Sequence, residues 1–338
     1  MGITIRDVAA KCGLSISTVS KVFNNYSDIS DETREFVIKV ANEIGYYPSS
    51  IASALKTNRS YNLGVLFQAQ SHSGVTHSFF SLVLDALKTT AEAHGYDITF
   101  INHNIRNSMS YLEHCRYRNV DGVALVCADF YSPEVLALVN SEIPCVSIDY
   151  IFDKRSCILS ENTNDMYKLT RLAIDLGHRK IAFVKGESTA VTDARFQGFT
   201  KAMAESSLPT PEEYILSSIY DNPEEGMNVF KKLMSLSTPP SCILMPDDNS
   251  ALGALQAAAE LKIRIPHDVS LCGYDGIRLG QLIHPKLTTI KQDTHSLGAV
   301  AAEKLIARIE QRHNAESEVL FIPGTLIPGE TLGAPSIP

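Results

Sequence analysis

The sequence predicts two architectures in series: a small all-α amino-terminal domain, then an α/β region of two doubly wound parallel-sheet lobes. Three observations predict this. Residues 1–60 show helical apolar periodicity with cap residues and no strand-like alternation. From about Tyr61 onward, short β-rich apolar runs alternate with helix-length amphipathic segments. And 338 residues, 44% hydrophobic and 20% charged, exceed one ordinary domain.

Each element has a local reason. Thr4 is placed to cap a first helix, with Asp7 three positions on and Ile5, Val8, Ala9 and Cys12 as its apolar face; Gly13 ends it. Ser15 or Ser17 starts a second helix, which turns Val19, Val22 and Phe23 inward. Ser30 starts a third, which buries Val37, Val40, Ala41 and Ile44 before Gly45 stops it. Two helices joined by a short glycine-containing turn, with a third completing the core, form a helix-turn-helix. Strands then follow at 63–67, 96–101, 122–126, 145–149, 180–184, 242–246 and 268–275, with amphipathic segments at 79–94, 165–176, 193–205, 223–236 and 249–262. This alternation implies mostly parallel sheets with helices on both faces, and ligands in such folds sit beyond the carboxyl ends of the strands.

Charge and composition exclude several classes. The net charge is -8, but residues 1–60 carry +1 and the remainder -9, so any nucleic acid must be bound by the amino-terminal segment through local geometry. No apolar run reaches the ~20 residues of a membrane span. Arg6, Asp7 and Lys11 stand where an export signal is apolar, so a soluble, cytoplasmic protein is expected. The seven cysteines form no Cys-x-x-Cys pair, and Cys127, Cys145, Cys242 and Cys272 lie in apolar runs; they are expected to be reduced core thiols. No G-x-G-x-x-G follows a strand, and no Walker loop, G-x-S-x-G elbow or H-E-x-x-H is present. His72, His77, His94, His103, His114 and His178 are scattered and read as surface or core residues. An enzyme is therefore not expected, nor a metal or other cofactor.

The run TIRDVAAKCGLSISTVSKVFNNYSDISDETREFVIKVANEIGYYPSS resembles the DNA-binding domain of the lactose/galactose repressor family of bacterial transcription regulators. LGHRKIAFVKG (176–186), ARFQGF (194–199), DDNSALGALQA (247–257), IPHDVSLCGYDG (265–276) and PKLTTIKQD (285–293) resemble that family's regulatory domain, which is periplasmic-binding-protein-like. Nearly the whole chain is covered. The resemblance implies a helix-turn-helix domain at 1–46, a hinge at 47–60, and an effector-binding and dimerisation domain at 61–338. Within the last, lobe one takes about 61–160 and 292–321, and lobe two about 161–291 and 322–338. The implied function is a repressor that binds a palindromic operator as a dimer under the control of a carbohydrate effector.

By resemblance the base-reading positions are Ile16, Ser17 and Lys21, the outward residues of the second helix. Lys21 suits guanine O6 and N7, Ser17 either donor or acceptor edges, and Ile16 a thymine methyl. Thr4, Thr18, Ser20, Asn24, Thr33 and Arg34 suit phosphate contacts that fix register. In the hinge, Leu55 matches a leucine that wedges between central base pairs, with Ala52 on the same face; packing on the core is the alternative for Leu55. Ser49 stands where the family usually has Asn and still provides a cap, whereas Ser53 stands where Arg is common, removing a phosphate contact. So short a helix is marginal in water and is expected to fold only on the duplex.

The implied effector residues are Arg195, Asp247, Asp275, Phe79 and Phe80, one phenylalanine facing the ligand and the other the core. Two carboxylates and a planar guanidinium suit a neutral polyol ring. A sugar phosphate would be repelled by the acids unless Arg195 and Lys185 offset them. Asp248 is expected to hold the helix start at Asn249. Two other readings stay open: a purine-responsive regulator of the same family, and a sugar-binding transport protein, which would need an export signal and would have no use for residues 4–45. Half-sites one helical turn apart require a two-fold dimer, and the tail PGETLGAPSIP has no heptads for a tetramerisation coil.

Overall fold

Three helices open the chain: α1 (Ile5–Cys12), α2 (Ile16–Phe23) and α3 (Asp31–Ile44). They come from a computed structural model that describes residues 3–24, 26–47, 59–68, 74–103, 108–311 and 317–336; the hinge positions Ser49, Ala52, Ser53 and Leu55, and also His72, lie outside the described residues. The chain divides into two compact units, Met1–Asn62 and Leu63–Pro338.

In the first unit the backbone N–H and the hydroxyl of Thr4 both donate to Asp7, at 2.7 and 2.8 Å, which fixes the start of α1. Ser15, rather than Ser17, caps α2 by accepting from the Thr18 N–H at 3.0 Å. Ser30 accepts from the Thr33 N–H at 3.3 Å. Gly13 and Gly45 end α1 and α3 in the left-handed region, at φ 66° and 73°. Val8, Ala9, Val19, Val22, Val37 and Ala41 form one buried cluster, with Ile5, Cys12, Phe23 and Ile44 packed at its edge. Helices as short as α1 and α2 do not persist alone in water, so each depends on this shared core.

The second unit runs β1 (Asn62–Phe67), α4 (Ser78–Ala93), β2 (Asp97–Ile101), α5 (Tyr111–Arg118), β3 (Gly122–Cys127), α6 (Pro133–Val139), β4 (Cys145–Ile148) and β5 (Ser156–Ser160). It continues α7 (Asn162–Asp175), β6 (Ile181–Lys185), α8 (Ala190–Glu205), β7 (Ile215–Ser217), α9 (Pro223–Met234), β8 (Cys242–Leu244), α10 (Asp248–Leu261) and β9 (Ser270–Cys272). β10 (Thr289–Lys291), α11 (Thr294–Glu310), β11 (Val319–Ile322) and β12 (Thr325–Ile327) complete it. One sheet has the order β11-β5-β4-β3-β1-β2 and the other β7-β6-β8-β9, while β10 and β12 pair antiparallel. The chain thus passes between the lobes after β5, after β10 and after β11.

Helices cover both faces of each sheet. α4 and α11 pack on the first, opposite α5 and α6; α9 and α10 pack on the second, opposite α7 and α8. The α9–α10 contact needs glycine: a Cβ on Gly226 would stand 2.1 Å from the Ser250 carbonyl oxygen, and one on Gly253 would stand 1.8 Å from that of Pro223. β5, β7 and β10–β12, with α5, α6 and α11, are elements that the sequence reading does not single out. β7, β10 and β12 have three residues each, too few to display an alternation. All seven cysteines are free; Cys145, Cys242 and Cys272 are buried as expected, but Cys127 is only half-buried, because it ends β3 at the edge of a cavity. Among the described residues no helix is long and apolar enough to cross a membrane.

Candidate functional site

Two surfaces collect the residues singled out above. On α2, Val19 and Val22 turn inward, which leaves Ile16 47% exposed and Ser17 exposed beside it. Lys21 follows on the same helix, half-buried, and its ammonium pairs with the carboxylate of Asp28. That hydrogen bond holds the Asp28 carboxyl below its ordinary range. Such an exposed pair contributes little to stability and yields readily to a competing partner.

The residues expected at phosphates also hold helix ends. The Asn24 side chain donates to the Ser20 carbonyl oxygen at 2.5 Å and lies 3.4 Å from the Ser20 hydroxyl. The Thr18 and Thr33 hydroxyls bond those of Ser15 and Ser30, both at 2.9 Å. Arg34 donates to the carbonyl oxygens of Val22 at 3.1 Å and Tyr26 at 2.9 Å, tying α3 to the end of α2.

The second surface is internal. Beyond the carboxyl ends of strands from both sheets lies a cavity of about 200 Å³, and Phe79, Phe80, Arg195, Asp247 and Asp275 all line it. Phe79 also belongs to the lobe-one core, whereas Phe80 is half-buried and meets Phe67 and Phe79 edge to face. Arg195, on α8, is held from several sides. Its Nε donates to Asn162 Oδ1 at 2.8 Å, its Nη1 donates to the Pro246 carbonyl oxygen at 2.9 Å, and the guanidinium lies 3.6 Å over the Tyr274 ring. Its Nη2 stands 3.9 Å from Asp275.

Asp275 has a left-handed backbone, φ 103°, and accepts from Gln292 Nε2 at 2.7 Å. Burial pushes its carboxyl up to about 7; Arg195 opposes that rise and Asp247 adds to it. Asp247 caps α10: it accepts from the Ser250 N–H and hydroxyl, both at 2.8 Å, and from the Asp221 N–H at 3.0 Å. Burial raises its pKa as well. The capping role expected of Asp248 therefore falls to Asp247. Asp248 instead accepts from the Thr289 hydroxyl at 2.6 Å and the Ile277 N–H at 2.7 Å, binding the start of α10 to β10 and to the loop after β9.

The structure adds residues that the sequence reading passes over. Asp149 and Asp221 line the cavity with left-handed backbones, φ 56° and 57°, together with Glu187, Tyr220 and Gln292. All stand in loops at strand ends, where one residue leaves no periodic trace; of them, only Asp149, the last residue of the run 145–149, and Gln292, within PKLTTIKQD, fall in stretches that the sequence singles out. His77, read as one of the scattered histidines, is buried and lines the same cavity. Lys185, considered as an offset to the acids, lies with its ammonium 3.8 Å over the Phe196 ring and is not among the lining residues.

Comparison with known proteins fits this arrangement. Residues 4–49 match the model for bacterial regulatory proteins of the lacI family, and residues 170–332 match that for a periplasmic binding protein-like domain. The HTH-type transcriptional repressor PurR of Pasteurella multocida (strain Pm70) is 30% identical over 330 residues, 96% of this chain and 97% of that protein. The fold is that of the lac repressor dimer bound to operator and the anti-inducer ONPF, with TM-score 0.84, 23% identity, and coverage of 99% of this chain and 100% of that one. A complex of the transcriptional regulator CelR with cellobiose gives TM-score 0.71 at 22% identity, covering 98% of this chain and 100% of that one.

Proposed function

Because this chain belongs to the lacI family of bacterial regulatory proteins, and is accordingly a DNA-binding repressor controlled by a small molecule rather than an enzyme, we propose that its effector is a small neutral polyol held in the cavity between the lobes. The observation that carries the proposal is the charge of the lining: among the described residues, Asp129, Asp149, Asp221, Asp247, Asp275 and Glu187 surround one arginine, and that arginine is already bonded to Asn162 and Pro246. An anionic sugar phosphate would meet this excess of acid at close range, with Lys185 turned elsewhere. Hydroxyl groups would instead donate to it, and the aromatic rings of Phe80, Phe130 and Tyr220 offer an apolar face to a sugar ring. A volume of about 200 Å³ suits a metabolite of the size of one ring. The cellobiose named for the CelR complex supports a carbohydrate in a sensor of this fold.

In this reading residues 1–46 read the duplex, 47–60 form the hinge, and 61–338 sense the effector and dimerise, in the cytoplasm where the operator lies. Ile16, Ser17 and Lys21 meet base edges, while Thr4, Thr18, Ser20, Asn24, Thr33 and Arg34 set register on the phosphates. Ser49, Ala52 and Leu55 enter the minor groove beside the partner hinge. Arg195, Asp247, Asp275, Phe79 and Phe80 hold the effector. Calorimetry of the full-length protein against neutral sugars, sugar phosphates and purines tests the effector class. A neutral sugar is expected to bind most tightly, and tight purine binding defeats the proposal.

A further inference from the structure

Most polar groups around the cavity are already bonded within the protein. Asp149 accepts from the Ser160 N–H and hydroxyl at 2.6 and 3.1 Å, Glu187 from the Tyr220 N–H at 2.8 Å, and Asp247 and Arg195 are occupied as described above. Among the described residues, two buried lining atoms differ. His77 Nδ1 and Gln292 Oε1 have no hydrogen-bond partner, although His77 is 8% exposed and Gln292 4% exposed. An unpaired buried polar atom has lost its water without a replacement, and in a lining residue the contents of the cavity can meet it.

The surroundings of His77 fix what it asks for. It stands at the start of α4 in lobe one, with its Nε2 3.9 Å from Asp221 of lobe two and its ring 4.8 Å from that of Phe80. Burial holds the imidazole below its ordinary pKa, against the carboxylates of Asp221, Asp247 and Glu187, so the ring is neutral at pH 7. A neutral imidazole carries one proton. Placed on Nε2, that proton faces the Asp221 carboxylate, and Nδ1 is left as a bare acceptor. Beside it, Asn249 of α10 donates to Asp221 at 2.5 Å and, across the cleft, to the Ser78 hydroxyl at 3.1 Å. His77 therefore sits where the two lobes already touch.

We infer that His77 is an effector-reading residue: its Nδ1 accepts a hydrogen bond from a hydroxyl or N–H of the bound effector while its Nε2 faces Asp221, so that one side chain couples effector contact to the approach of the lobes. Gln292 Oε1 is the companion acceptor on the segment that follows β10. The inference rests on the cavity being the effector site. It adds that the effector presents hydrogen-bond donors to two separate points of the wall.

The test titrates the full-length protein with D-ribose, D-glucose, myo-inositol and hypoxanthine, in the wild type, His77→Phe and His77→Gln. Phe keeps the ring and removes the acceptor; Gln restores an acceptor oxygen. For whichever probe binds, the expected result is about tenfold weaker binding in His77→Phe and recovery to within about threefold in His77→Gln. Wild-type affinity also falls more steeply than that of His77→Gln as the solution is acidified until the imidazole takes up its second proton, because protonating Nδ1 removes the acceptor; the change common to both belongs to Asp275 and its acidic neighbours. Nitrogen NMR of the wild-type imidazole gives the same reading without substitution, since Nδ1 shifts when it accepts a hydrogen bond from the probe. Equal affinity in His77→Phe, or an unmoved Nδ1 resonance on saturation, overturns the assignment even where a sugar binds. Hypoxanthine binding that depends on His77 keeps the assignment and defeats the polyol effector. Failure of all four probes to bind overturns both.

Discussion

The reader and the sensor place their polar residues under opposite constraints. In the first unit, Ile16 and Ser17 stand exposed and Lys21 holds only an exposed carboxylate partner. In the second, Arg195, Asp247 and Asp248 are buried, and each bonds at least two groups of the protein. Exposed ions contribute little to folding and are at hand for a partner. Buried ones cannot be removed singly without leaving another group uncompensated. A substitution at the exposed Ile16, Ser17 or Lys21 is therefore expected to change surface recognition with little effect on folding, while one at the buried Arg195, Asp247 or Asp248 changes stability as well.

The sharpest break would come at Arg195. Arg195→Ala leaves Asn162 Oδ1, the Pro246 carbonyl oxygen and Asp275 without their cation, and urea denaturation is expected to show a loss of about 3–5 kcal/mol. A loss below about 1 kcal/mol would mean that the sensor tolerates change as the reader does. Asp275 gives a pH-dependent version of the same contrast. Its folded-state pKa is raised to about 7, so its contribution is complete below its ordinary value of 3.8 and is lost as pH rises through 7. Stability curves of wild type and Asp275→Asn should therefore diverge by a few kcal/mol between pH 4 and pH 8, the wild type declining more. Parallel curves would show that the buried carboxyl titrates normally.

Lys21 tests the other side. Lys21→Ala should cost about 1–3 kcal/mol of discrimination at one position of each half-site, read by selection from a random duplex library, and leave the unfolding free energy within ~0.5 kcal/mol of wild type. Selection of the same base at that position would remove Lys21 from the reading face. The smallest effect is expected at an exposed residue that is structural. Ser15 is exposed yet caps α2, so Ser15→Ala should destabilise the first unit by about 1 kcal/mol in chemical denaturation, although nothing buried has changed.

How much of this was legible in the sequence follows from how local each cause is. The starts and stops of α1–α3 were legible because a cap is a contact between residues three apart: Thr4 with Asp7, Ser15 with Thr18, Ser30 with Thr33. The run GVALV (122–126) was legible as β3 because all five residues are apolar, and all five are buried. The three-residue strands β7, β10 and β12 were not, since their pairing partners, rather than their own pattern, make them strands. At the cavity, Arg195, Asp247 and Asp275 were found through resemblance. The duty of Asp248 was misplaced by one residue, because which carboxylate turns toward Ser250 and which toward Thr289 depends on where β10 lies.

By itself the sequence determined the helical reader, the alternation of strands and helices, and the identity of a repressor, because those depend on spacing within a few residues or on motifs that survive in order. What lines the cavity depends on the packing of distant segments. The tertiary structure set His77 and Asp221 of opposite lobes 3.9 Å apart, and it turned Lys185 onto Phe196. It also raised the Asp275 carboxyl to about 7 by burial. Burial, and proximity between distant segments, are properties of the packed chain, and no local pattern of residues encodes them.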